Sequence, residues 1–493
     1  MKRSHIRTLG DLKKAGYQPV GVKEEIRSNL LARLRKNDVM FPGILGFDRT
    51  VIPQLQNALL ACHDVLLLGL RGQAKSRIIR LIPELLDEYV PVVAGSELND
   101  NPFAPLSKYA RTLIDRQQEE TPIAWLHRSQ RYAEKLATPD TSIADLIGDI
   151  DPIKAAQRRL TYADEEVIHF GIIPRTNRGI FAINELPDLQ ARIQVSLLNI
   201  LEEQDIQIRG FNIRFPLDIM MIFSANPEDY TNRGNIITPL KDRIESQILT
   251  HYPTTLEVAM AITNQEAYQQ RSGPAVEIPR FMREIIEQIA FEARNSEYVD
   301  QRSGVSARLT RAALEALISN AERRATLNKE AKVQVRISDL TCVEQAITGK
   351  VELVYEGEQE GAQNVARLLT GQALRKVFAR YFPDPDDKQK GREQYSRILA
   401  WFANRHTVTL DPDMPTRTYA EKLHAVDGLR GFVGKHVRTG RRAFIPGYME
   451  LVLEALHQSS RLGKEVHESA EHTYADLMGS MLSVLDDENG NDA

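Results

Sequence analysis

The segment Gly69-Leu70-Arg71-Gly72-Gln73-Ala74-Lys75-Ser76 carries the residue types that hold a polyphosphate. Glycines let backbone N–H groups turn toward one point, a lysine reaches the outer phosphates, and the serine after it offers a hydroxyl to Mg2+. One position departs from this pattern. The glycine usual before the lysine is Ala74, and a Cβ there crowds the loop wherever the backbone needs a positive φ. A second cluster follows about a hundred residues later. In Ile180-Phe181-Ala182-Ile183-Asn184-Glu185, four apolar residues end in a polar pair. Glu185 is the candidate base that orients an attacking water. Asn184 stands where a carboxylate usually helps hold Mg2+ through water; its amide oxygen accepts a hydrogen bond but brings no negative charge.

Both clusters need rigid supports. Val65–Leu68 is a short continuous apolar run ending at a glycine, the pattern of a strand buried on both faces of a parallel sheet. A helix is predicted from Lys75, with Ile78, Ile79, Ile82 and Leu85 inward, then a strand over Tyr89–Val93. Strand, helix, strand is the mark of an α/β unit. Ile180–Ile183 is another buried strand, followed by a helix carrying Leu189, Ile193, Leu197 and Ile200, a hairpin over Ile206–Phe215, and a last sheet strand over Ile219–Phe223. The fold class is therefore α/β, with these boundaries: a lead-in over 1–40 with a helix near Lys23–Arg35; an α/β nucleotide-binding domain over 41–253, with a polar insertion around 97–170; an all-helical domain over 254–350; a mainly helical extension over 351–485; and an acidic tail over 486–493, read as disordered. Within the extension, Glu356–Gly361 and Pro383–Lys388 are linker-like, and helices are predicted near 363–381, 391–404 and 446–484.

The chain has 493 residues, 42% hydrophobic and 26% charged, with 63 basic against 67 acidic side chains and a net charge of -4. Such a balance predicts no strong single-sign field, so a nucleic-acid partner is not indicated. The two cysteines, Cys62 and Cys342, lie in unlike contexts and fit a reducing compartment. No run approaches the roughly 20 apolar residues of a membrane span, and a soluble, cytoplasmic protein is expected.

Thr176-Asn177-Arg178-Gly179 leading into Ile180–Glu185 resembles the same stretch in the ATPase subunit of magnesium chelatase. Other motifs follow in that family's order. Leu197–Glu203 and the hairpin after it resemble the helix and pre-sensor hairpin; Ser224-Ala225-Asn226-Pro227-Glu228 resembles the sensor-1 strand, with Asn226 the polar sensor. Pro239-Leu240-Lys241-Asp242-Arg243 resembles the segment whose arginine reaches a neighbour's nucleotide, and Gly304-Val305-Ser306-Ala307-Arg308 the sensor-2 turn. Ala144–Asp151 and Phe170–Pro174 are similar to the helix-2 insertion that sets this AAA+ branch, shared with MoxR proteins, apart. The match runs over about 40–345. It implies an AAA+ sheet with a helical lid, ATP and Mg2+ as ligands, catalytic roles for Glu185, Asn226, Arg243 and Arg308, and phosphate contacts from residues 69–76, with Ser76 and Asn184 toward the metal. It also implies a homo-oligomeric ring, usually a hexamer, working with a separate von Willebrand A domain protein. Two functions stay open: an ATP-hydrolysing machine that remodels a client, and a nucleotide-binding scaffold with weak or no hydrolysis, which Ala74 and Asn184 motivate. A sigma-54-type activator would add a Gly-Ala-Phe-Thr-Gly-Ala loop, which the sequence does not contain.

Overall fold

The computed structural model describes residues 5–158, 164–208, 214–227, 235–387, 391–467 and 471–477. The chain divides into two compact units between Tyr252 and Pro253.

The first unit is built on a five-stranded parallel sheet. Its strands are β1 (Val65–Leu68), β2 (Tyr132–Leu136), β3 (Gly179–Asn184), β4 (Ile219–Ala225) and β5 (Ser246–Leu249), in the order β5-β1-β4-β3-β2. Alternate side chains serve opposite faces. Leu66, Leu68, Phe181, Met221 and Phe223 join one apolar core, while Val65, Leu67, Ile180, Met220 and Ile222 join the other. A strand covered on both sides has no polar face, which is why these segments read as unbroken apolar runs.

Several expectations change here. Tyr89–Val93 does not enter the central sheet; it pairs antiparallel with Ile123–His127. Its predicted place is taken by β2, which lies inside the segment read as an insertion. β2 is an edge strand of partly exposed residues, Tyr-Ala-Glu-Lys-Leu. With one side unpaired and charges along it, it lacks the apolar signature of its neighbours. What remains insertion-like includes the short helix Ile143–Leu146 and the antiparallel pair Gly148–Ile150 with Ile168–Phe170. The lead-in is also part of the unit. The helix Val22–Arg35 buries Val22, Ile26 and Leu30 in the core that holds β1, and Glu25 forms a two-pronged pair with buried Arg131 at 2.7 and 2.6 Å. The hairpin is present as Asp205–Gln207 against Arg214–Pro216; its expected tip, with Gly210, Phe211 and Ile213, lies outside the described residues.

In the second unit the helices Arg280–Ala293, Arg308–Leu327, Ala362–Phe378 and Ile445–Gln458 share one apolar core. Residues 351–477 thus pack into the same core as 254–350 instead of standing apart. Glu450, fully buried, accepts from the backbone N–H groups of Ile337 and Ser338 at 2.9 and 3.1 Å and from the Tyr419 hydroxyl at 2.6 Å. The region predicted as purely helical contains a parallel pair, Ala275–Glu277 with Lys332–Gln334. Glu356–Gly361 is no linker: Tyr355–Glu360 is helical, and Gly357 packs against the Tyr298 backbone where no Cβ would fit. The long final helix stops at Gln458 and is followed by strands Gly463–Val466 and His472–Ala475, which complete an antiparallel sheet with Val408–Leu410. The predicted helices near 363–381 and 391–404 are present as Ala362–Phe378 and Gly391–Ala403. The acidic tail lies outside the described residues. Among the described residues no helix is long and apolar enough to cross a membrane.

Glu287, on Arg280–Ala293, is 4% exposed and hydrogen-bonds Thr263 and Thr310. Burial pushes its carboxyl up to about 7. The folded state therefore holds a proton that the unfolded chain releases above roughly pH 4.5, so this residue's contribution to stability falls as pH rises toward 7. Glu287→Gln is expected to raise the melting temperature at pH 8, through about 3 kcal/mol of removed ionisation cost, with the gain vanishing near pH 4.5. An equal gain at both pH values in differential scanning calorimetry would contradict this.

Candidate active site

The register of the sheet brings the candidate residues to one edge. Leu68 at the end of β1 lies opposite Ala225 of β4, and Phe223 of β4 lies opposite Ile183 of β3. Adjacent strands are about 4.8 Å apart, so Gly69, Asn226 and Glu185 emerge side by side within about 10 Å, where parallel sheets hold their ligands. The Gly69 N–H donates to the Ala225 carbonyl at 3.1 Å, tying the loop to the sheet.

The loop turns through two left-handed residues, Gly72 at φ 77° and Ala74 at φ 57°, and the helix Lys75–Leu81 begins directly after. Its first-turn N–H groups have no partners within the helix and suit an anion. Buried Lys75 folds over the loop, its Nζ donating to the carbonyls of Gly69 and of Leu70, the latter at 3.1 Å; Ser76 is exposed. Gln73 is buried, and its Oε1 accepts from the Thr250 hydroxyl at 2.7 Å. The Tyr252 hydroxyl donates to the Arg71 carbonyl at 2.9 Å. A Cβ on Gly69 would run into the Thr250 hydroxyl, so this position requires glycine.

Thr250 and Tyr252 were not foreseen. They stand just after β5, and two lone polar residues after a four-residue strand carry no motif. The only signal available was their position at the same sheet edge as the loop. Ala74 does occupy the left-handed region in which a Cβ is unfavourable. Ala74→Gly is expected to raise stability by about 1 kcal/mol, a shift of a few degrees in a thermal melt. A lower melting temperature would contradict it.

On the other side of the edge, Glu185 also sits in the left-handed region, at φ 55° and ψ 51°. Such a residue is strained, and strain of this kind collects where a side chain is aimed. Ser224 anchors the pair: its hydroxyl donates to the Asn184 side-chain oxygen at 3.0 Å and accepts from the Glu185 N–H at 3.4 Å. Lys75, Ser76, Asn184, Glu185 and Asn226 are thus assembled on one sheet edge. Arg243 ends the helix Thr238–Arg243, where its Nε donates to Glu202 at 2.7 Å and a terminal nitrogen donates to the Pro239 carbonyl at 3.0 Å. Arg308 opens the helix Arg308–Leu327 of the second unit, with its side chain exposed. Glu228 lies outside the described residues.

The stretch Asn177-Arg178-Gly179 does structural work. Arg178 is 3% exposed and donates to the Pro91 carbonyl at 2.5 Å, while Asn177 donates to Leu98 at 2.8 Å and accepts from the Asp218 N–H at 2.9 Å. Arg131 closes the set by donating to the Arg178 carbonyl at 2.7 Å. These contacts fix the start of β3, and with it the position of Glu185.

A parallel sheet with a phosphate-type loop after β1 and a Glu after β3 defines a nucleotide-binding α/β class. Residues 122–244 match the model of the AAA domain, dynein-related subfamily; Asn184, Glu185, Asn226 and Arg243 fall within that match, and the loop lies upstream. Over that stretch the chain is similar to AAA domains, and it resembles magnesium chelatase subunits. It is 24% identical over 379 residues to magnesium-chelatase subunit ChlI of Synechocystis sp., covering 73% of this chain and 99% of that protein. To the magnesium-chelatase 38 kDa subunit of Cereibacter sphaeroides it is 26% identical over 213 residues, covering 41% of this chain and 56% of the relative. To ChlI of Nostoc sp. it is 27% identical over 252 residues, covering 50% and 62%. The chain therefore spans only about six-tenths of the length of these last two relatives. Among solved structures, the complex of BchI and BchD of magnesium chelatase gives a TM-score of 0.33 at 20% identity, covering 65% of this chain and 98% of that one. NtrX of Brucella abortus in complex with ATP gives 0.37 at 14% identity, covering 72% and 67%.

Proposed function

We propose that this protein binds ATP with Mg2+ on the loop 69–76 and hydrolyses it to ADP and phosphate, and that the energy of this cycle remodels a partner complex. The observation that carries the reading is that Asn226, Glu185 and the loop bearing Lys75 follow three adjacent strand ends of one sheet. Phosphoryl transfer is catalysed mainly by positioning and by positive charge where negative charge develops. Lys75 supplies that charge from the loop side. Glu185 orients the attacking water from the opposite side, and Asn226, between them, hydrogen-bonds the γ-phosphate or that water. The residues fit a metal: Ser76 offers an exposed hydroxyl, and the Asn184 oxygen, with one lone pair taken by Ser224, keeps a second for a metal-bound water. Bound Mg2+ would neutralise charge on the β and γ phosphates.

Arg243 serves as the finger toward a neighbouring protomer, which requires a ring; a hexamer is the expected form. Residues 254–350 act as the lid, with Arg308 on the nucleotide, and a separate von Willebrand A domain protein is the expected partner. The relatives named as magnesium-chelatase subunits support the class of machine. A second reading, a scaffold that binds nucleotide and turns it over slowly, is favoured by one observation: Asn184 brings no charge to the metal and is held by Ser224. Phosphate release from purified protein with ATP and Mg2+ separates the two. Steady release above the no-enzyme rate supports the machine; release indistinguishable from that rate supports the scaffold.

A further inference from the structure

The loop 69–76 turns at two left-handed positions, and the second is Ala74 at φ 57°, where a Cβ is unfavourable. A strained turn of this kind persists only where surrounding structure enforces it. Here the enforcement comes from the segment just after β5. The Thr250 hydroxyl donates to Gln73 Oε1 at 2.7 Å and lies 3.2 Å from the Leu68 carbonyl, and the Tyr252 hydroxyl donates to the Arg71 carbonyl at 2.9 Å. One short arm therefore grips the loop at residues 71 and 73, on either side of Gly72.

The arm is itself fixed. The Thr250 N–H donates to the Leu68 carbonyl at 2.7 Å, which carries the pairing of β5 with β1 one residue further. His251, between the two gripping residues, shares a hydrogen bond of 2.8 Å with the Thr50 hydroxyl and meets the Phe47 ring edge-on, with centroids 4.9 Å apart. Thr250 and Gln73 are both buried, and a buried polar group that loses its partner is left with its full desolvation cost. The pair also closes over Gly69: a Cβ at that residue would lie 1.8 Å from the Thr250 hydroxyl and 2.3 Å from Gln73 Oε1. The first and fifth residues of the loop and the arm thus share one packed contact.

We infer that Thr250 and Tyr252 are positioning residues for the triphosphate, holding the loop backbone in the shape that turns its N–H groups toward the phosphates, with Thr250 acting through Gln73. The inference rests on the nucleotide reading proposed above. It accounts for a loop that keeps its left-handed turn without the usual glycine before Lys75: a glycine would remove the strain, whereas here an arm from β5 enforces the turn. Contacts that served only to stabilise the fold would move the melting temperature and leave the ATP affinity of the folded protein alone. A positioning pair changes that affinity, because a loop free to leave the binding shape must be reordered by the ligand.

The test is titration calorimetry of the full chain with ATP and magnesium, beside thermal melts without nucleotide. Thr250→Val keeps the shape and removes the hydroxyl; it is expected to raise the Kd for ATP about tenfold, equivalent to about 1.4 kcal/mol, while the melting temperature falls by about five degrees or less. Thr250→Ser restores the hydroxyl and should return the Kd to within about threefold of wild type. Gln73→Leu combined with Thr250→Val should bind no more than about threefold more weakly than the worse single variant, since both remove the same hydrogen bond. Tyr252→Phe, which loses only the donor to Arg71, should raise the Kd about fivefold, and it carries the test alone should Thr250→Val fail to fold. An ATP affinity of the folded variant within about twofold of wild type, no recovery with serine, or effects that multiply in the double variant would each overturn the positioning role and leave the nucleotide site standing. A folded wild-type chain that binds no ATP would overturn the nucleotide reading and this inference with it.

Discussion

Replacing Lys75 by methionine is expected to raise the dissociation constant for ATP by about 100-fold or more while leaving the fold intact. The expectation follows from where the amine sits. Nζ lies against the carbonyls of Gly69 and Leu70, inside the loop that would surround the phosphates, and the side chain is only 7% exposed. Moving from two carbonyl acceptors to two phosphate oxygens exchanges neutral acceptors for charged ones. Each charge-assisted hydrogen bond contributes roughly 1.5–3 kcal/mol, and about 3 kcal/mol corresponds to about 100-fold in affinity. Methionine keeps the length and apolar stem of lysine, so the melting temperature without nucleotide should change little. Titration calorimetry checks this, and a loss of less than threefold would mean that Lys75 does not touch phosphate.

The second large effect is expected at Glu185. Changing it to glutamine should lower phosphate release by about 100-fold or more, the usual contribution of a positioned base, while ATP affinity stays within about threefold of wild type. The split between the two readouts is the informative part. Ser224 accepts from the Glu185 backbone N–H and donates to the Asn184 side chain, two contacts that glutamine at 185 leaves in place. The left-handed backbone at Glu185 is kept as well, because glutamine has the same Cβ. A variant that hydrolyses at the wild-type rate would remove Glu185 from the chemistry. One that loses ATP affinity along with turnover would make it a binding residue.

The central strands and the phosphate loop were legible because their signals are local. A strand buried on both faces must be apolar throughout, and a loop that wraps phosphate needs its glycines, lysine and serine within eight residues. β2 was not legible, since an edge strand with Glu134 and Lys135 on it looks like a loop in sequence. Tyr89–Val93 shows the converse: its apolar run reflects packing against a hairpin partner and not a place in the sheet. Ala74 was identified as a departure, and its backbone adopts the positive φ that makes it one. Thr250 and Tyr252 reach the loop from about 180 residues away, and spacing carries no trace of such contacts.

Isothermal titration of the purified chain with ATP, with and without magnesium, is the most direct test of the nucleotide site. Saturable binding that tightens when magnesium is present and is lost in Lys75→Met is the predicted result. No heat of binding under either condition, from protein whose melting curve shows it folded, would contradict the assignment of the loop 69–76 and everything built on it.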